Sequence, residues 1–120
     1  STNAGNSVID LTTEKVEIND FGQTNDFGSD LIAINNTIYR SFKGGIAPLN
    51  TNLTIDSNHI IGKLGSAYSA AAFGQYIYLS ETDYMAPDTV YVYDLAGSLI
   101  QHYQVGAIPG SFALFIKEID

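Results

Sequence analysis

The side chains in this sequence with the most obvious chemistry are two histidines, thirteen carboxylates and eight tyrosines. His59 and His102 stand far apart in the chain, and a shared metal would need both of them, with a carboxylate, to meet at one point. Residues 19–30, NDFGQTNDFGSD, spell Asn-Asp-Phe-Gly twice. The stretch is rich in acids and amides, but it lacks the alternating acids and terminal glutamate of a calcium loop. Phe21, Gln23, Asn25, Asp26 and Phe27 instead mix aromatic bodies with hydrogen-bonding groups, a combination that suits an apolar-bodied polar ligand or a partner loop. The other reading is that the two Phe residues pack beneath the loop.

A second candidate is SETDYMAPD, residues 80–88, which carries Tyr84 and Met85. It is either a binding loop or a cover over a sheet edge. No two carboxylates are spaced to flank a cleft as glycoside hydrolysis requires. G-x-S-x-G, a phosphate-cradling glycine loop and a histidine-rich metal motif are all missing from the sequence. The reading is therefore non-catalytic, with no cofactor and no resident metal expected. Asn35 and Asn52 open N-x-T triplets, the glycosylation acceptor pattern, to which no role is assigned.

The elements that must carry these residues are strands. TVYVYDL, TIYRSF, YIYLSE and SFALFI are rich in β-branched and aromatic residues and bounded by Gly, Asn, Asp or Pro. No window carries a 3.6-residue apolar stripe. The strands also recur. Tyr39 and Tyr78 each close an Ile-Tyr pair after a short apolar strand and a small polar turn. Asp10, Asn50 and Asp94 each end a strand and open a turn, and Gly22, Gly62 and Gly106 follow each of them at the same spacing. Asp and Asn at such positions cap the next backbone N–H groups, so a structural role is assigned to all three.

A repeat of about 40 residues built from four short strands is the signature of β-propeller blades. The fold class expected is all-β, with blades of four antiparallel strands, about 2.5 to 3 of them, in an incomplete propeller. With strands lettered A to D from the centre outward, residues 1–28 form a half blade of strands C and D, at 7–10 and 15–18. Residues 29–67 form a blade with strands near 30–34, 37–42, 46–49 and 59–64. Residues 68–109 form another, near 69–73, 76–80, 90–94 and 99–105, and residues 110–120 hold a closing strand A at 112–116. His59 and His102 then sit on diverging outer strands as surface residues. The NDFG loop is a D–A connection and SETDYMAPD a B–C connection, and these share one face of a propeller. That face gathers the candidate ligand-binding set Phe21, Gln23, Asn25, Asp26, Phe27, Tyr84 and Met85.

Composition sets outer limits. Thirteen acids against five bases give a net charge of −8. Such a chain repels phosphate backbones, so nucleic acid is not expected as a partner. No apolar run reaches the roughly 18 to 20 residues that span a bilayer. Cysteine is absent, which excludes disulfides and thiolate metal sites. Residues 1–7 lack the order of a signal peptide. Propellers close with four to eight blades, so the remaining blades are expected as partners, from the same polypeptide upstream or from other chains.

The strand pattern SVIDLTTEKVEI, and VYVYDLAGSLIQHYQVGAIPGSFALF after it, resemble the YncE-like, surface-layer type of seven-bladed propeller. The second stretch looks like the final blade and closing strand of the surface-lipoprotein branch of Gram-negative gut anaerobes. The likeness covers nearly the whole chain, and IAPLNTNLTIDSN departs from it by a proline in strand C and a longer turn. It implies an outer-membrane lipoprotein or periplasmic location. It also implies a small molecule, glycan or surface protein as ligand, with corrinoid capture as one analogy. The alternative it leaves is a structural or adhesion scaffold within a surface assembly.

Overall fold

A computed structural model of the chain describes residues 3–23, 30–65, 67–82, 85, 87–107 and 109–116. Among them there are nine strands and no helix. All pairings are antiparallel, and the strands form three sheets in chain order. The first sheet is the hairpin β1 (Asn3–Ile9) and β2 (Val16–Gln23). The second is β3 (Leu31–Ile34), β4 (Thr37–Phe42) and β5 (Gly45–Pro48). The third is β6 (Ala67–Phe73), β7 (Tyr76–Glu81), β8 (Asp88–Asp94) and β9 (Leu99–Val105). The fold is all-β, an open, propeller-like series of a half blade and two blades.

The turns follow from local chemistry. Asn35 and Asn36 both adopt positive φ, 48° and 64°, the geometry of the tight turn that joins β3 to β4. Asp10 Oδ1 accepts the N–H groups of Thr12 and Thr13, and Asp94 Oδ1 those of Ala96 and Ser98. These are the caps expected of a turn-opening Asp.

The Thr12 and Thr13 N–H groups hold the Asp10 carboxyl below its ordinary value, and the His59 side chain with the Asn58 N–H does the same for Asp56. A carboxyl depressed in the folded state contributes stability above its unfolded value of 3.8, and this is lost as the pH falls through the folded value. Melting temperature is therefore expected to drop below about pH 4. In Asp10→Asn, which keeps the accepting oxygen but cannot titrate, that drop should be shallower. An identical acid limb in both proteins would refute the assignment.

The repeat is written in hydrogen bonds as well as strands. Asp30 N–H donates to Ser41 Oγ at 3.0 Å, and Ser69 N–H donates to Ser80 Oγ at 3.0 Å, 39 residues later. Each of these leading residues also bonds a residue 40 positions further along the chain. Ala70 N–H donates to Asp30 Oδ2 at 2.7 Å, and Ser69 Oγ donates to the Pro109 carbonyl at 2.6 Å. Because β3 and β6 are neighbours, the Ala70–Asp30 bond ties the first strand of the third sheet to the start of the second.

The core lies between the second and third sheets. Ile46 and Ile61 on one side meet Ile77, Leu79 and Tyr93 on the other, with Ile34 completing the cluster. Burial there holds the Tyr93 phenol above its ordinary pKa. Gly62 lies in the same contact at φ 92°, a conformation that favours glycine. A Cβ there would stand 2.5 Å from Leu79 Cδ1.

Three expectations change. The strand expected at 59–64 is reduced to one isolated bridge, Ile46 with Ile61, preceded by a second, Leu49 with Ile55. Three steps along one side of that ladder face six on the other, so residues 56–60 bulge outward as a turn closed by His59 N–H donating to the Asp56 carbonyl, 3.4 Å, and anchored by Asp56 N–H donating to the Pro48 carbonyl, 2.9 Å. No strand forms at 112–116. A strand needs a ladder, and no described strand pairs with it; Phe112 packs its ring on Tyr78 instead, 6.2 Å between centroids. Finally, Phe21 and Gln23 belong to β2 rather than to a loop, because Gly22 pairs with Ala4 and Gln23 with Asn3, carrying the ladder past Asp20 with Phe21 at a bulge.

Candidate functional site

Antiparallel pairing puts the β3–β4 turn, the turn at 50–54 and the turn at 95–98 at one end of the sheets. The end of β2 and the β7–β8 connection lie at the other. Of the sequence-derived set, Phe21, Gln23 and Met85 fall at this second end. Phe21 is half-buried, and the Arg40 guanidinium stands over its ring at 5.5 Å. Gln23 closes β2, paired with Asn3. Met85 is 87% exposed. Asn25, Asp26, Phe27 and Tyr84 lie outside the described residues; the contact seen here joins Phe21 to Arg40, which was not in the sequence-derived set.

Phe21 takes part in an inter-sheet contact that repeats the core in polar form. Counting from Asp10 and Asn50, Asn6 matches Ile46 and Phe21 matches Ile61; counting between the tyrosine strands, Arg40 matches Leu79. Arg40 is only 2% exposed. Its Nη1 donates to Asn6 Oδ1 at 3.1 Å and its Nε to the Ser41 carbonyl at 3.1 Å. Asn6 Nδ2 donates to the Leu53 carbonyl at 3.0 Å. The amide and guanidinium thus do between the first and second sheets what Ile46 and Leu79 do between the second and third.

On the opposite face of the hairpin, Ile9, Val16 and Ile18 line up with Ser7, because cross-strand partners share a face. All three are exposed, Ile18 to 74%. Ile9 matches Tyr93, which is buried against the preceding sheet.

A groove that the sequence reading missed lies at the turn end, between the second and third sheets. It encloses about 400 Å³ and is lined in part by Thr37, Tyr39, Asn58, His59, Ile60 and Leu95. The outward bulge at 56–60 forms one wall. Asp56 organises that wall: Oδ1 accepts the Asn58 N–H at 3.1 Å, and Oδ2 lies 2.6 Å from His59 Nδ1. His102 is exposed elsewhere, its ring 6.2 Å from Tyr91. Among the described residues no three His, Cys, Asp or Glu side chains come together in a metal-binding group. No helix among them is long and apolar enough to cross a membrane. No family model and no curated protein matches the chain.

Proposed function

We propose that the chain is a non-catalytic binding module of a YncE-like propeller at the cell surface or in the periplasm. Its ligand, a small molecule, glycan or protein, is held on the face that carries the end of β2 and the β7–β8 loop. The observation that carries this reading is Met85, exposed on the long β7–β8 connection at the same end as Gln23. A flexible, polarizable side chain in water is characteristic of adaptable contact surfaces. The test is a binding screen with cyanocobalamin and a panel of glycans, repeated on Phe27→Ala and Tyr84→Ala. Each substitution should weaken binding about tenfold or more while the melting temperature stays within a few degrees. Unchanged affinity in both variants sinks the loop-face site.

A second reading, a scaffold built from further blades, is favoured by the apolar face of the hairpin. Ile9, Val16 and Ile18 offer a preceding sheet the same kind of surface that Tyr93 offers the second sheet. Val16→Lys with Ile18→Lys should abolish association with the neighbouring blades in a pull-down while leaving this chain's own melting transition in place. Retained association would refute that contact.

A further inference from the structure

The groove at the turn end lies away from the loop face, and its chemistry is different. Its hydrogen-bonding groups are the Thr37 hydroxyl, the Tyr39 phenol, the Asn58 amide and the His59 imidazole, and its lining also includes the apolar Pro48, Ile60 and Leu95. Among the described residues, none in the lining is Lys, Arg, Asp or Glu. The nearby Asp56 carboxylate is engaged by Asn58 and His59, so it serves to fix that wall. A volume of about 400 Å³ falls within the range of small-ligand sites, roughly 300–1,000 Å³.

We infer that this groove is a second binding site, for a neutral polyhydroxylated ligand of the size of one or two pyranose rings. A sugar ring has hydroxyl edges for the donors and acceptors of Thr37, Tyr39, Asn58 and His59, and C–H faces for Pro48, Ile60 and Leu95. An anionic ligand meets no Lys or Arg in this lining and approaches a chain of net charge −8. A cationic one finds the Asp56 carboxylate already occupied. The site depends on packing between the two sheets, since Leu95 comes from the turn after β8 and the polar wall from the bulge after β5. It does not depend on the loop-face reading.

The experiment is a titration of isotope-labelled full chain with methyl β-glucopyranoside, maltose and cellobiose, followed by amide shifts, with glucuronate and cyclohexanol as controls. At least one neutral sugar should give saturable shifts at Thr37, Asn58, His59, Leu95 and Ala96, and neither control should. Asn58→Ala and Tyr39→Phe should each weaken that binding about fivefold, the loss of one neutral hydrogen bond, with the melting temperature retained. The proposal is overturned if none of the three sugars gives saturable shifts at about 100 mM, far above the Kd of a built site. It is equally overturned by an equal response to either control, by wild-type affinity in both variants, or by shifts confined to the end around Gly22 and Met85. That last result would instead support the loop face.

Discussion

Gly62→Ala is expected to cost about 2–5 kcal/mol of unfolding free energy, combining left-handed strain of about 1–2 with overpacking of about 1–3. The backbone at Gly62 has φ 92°, so any Cβ is strained before its neighbours are considered. Those neighbours then make it worse, since the new Cβ would sit 2.5 Å from Leu79 Cδ1 and 3.6 Å from Tyr93 Cε2. Leu79 is fully buried and cannot swing into water. Leu79→Ala makes the opposite error and leaves a cavity, with a loss of about 3–5 kcal/mol. The informative protein is the double variant. Removing the Leu79 methyls makes room for the Cβ at residue 62, so the double loss should fall short of the sum by about 1 kcal/mol or more. Urea denaturation of the four proteins measures this. Strict additivity would mean that Gly62 and Leu79 do not touch, and that the second and third sheets pack some other way.

Where a strand depends on its own residues and turns, it was legible. Thr37–Phe42 and Leu99–Val105 form as read, because β-branched alternation and flanking Asn, Gly and Asp are local signals. Where a strand depends on a partner, it was not. Residues 112–116 carry as strong an apolar pattern as β7 but have no ladder to join among the described residues. Residues 59–64 are held to the single Ile46–Ile61 bridge by the surplus residues between Ile55 and Ile61. The proline and lengthened turn in IAPLNTNLTIDSN were visible as an irregularity, though nothing local says whether extra residues become a wall or a mere bulge.

The candidate sites divide along the same line. Asp-Phe-Gly reads as a turn, yet the ladder from β1 runs through it and puts Phe21 beneath Arg40. The groove could not be read at all from spacing, because His59 and Leu95 meet only when two sheets pack. A period of about 40 residues nevertheless contains the key to both. Aligning the copies pairs Arg40 with Leu79, Asn6 with Ile46 and Phe21 with Ile61. That alignment makes the buried Arg40 and its Asn6 partner the polar counterpart of the apolar Leu79 and Ile46 contact.

The same alignment supports the second large prediction. Arg40→Ala should cost about 2–4 kcal/mol, since it empties a buried site and leaves the Asn6 amide oxygen without its donor. The effect should be local. The β1–β2 hairpin is tied to the second sheet by the Arg40–Asn6 and Asn6–Leu53 hydrogen bonds, neither of which involves a residue of β7 or β8. Hydrogen exchange should therefore accelerate in β1 and β2 and stay unchanged in β7 and β8. Arg40→Leu restores volume but not the hydrogen bond, and should recover part of the loss. Arg40→Leu combined with Asn6→Ile copies the pairing of Leu79 with Ile46, and should equal or exceed the parent stability, as apolar replacements of buried charges often do. If Arg40→Ala leaves hairpin exchange unchanged, the guanidinium does not join the sheets. If the apolar pair falls well below Arg40→Leu alone, the two interfaces are not equivalent and the repeat is one of sequence but not of packing.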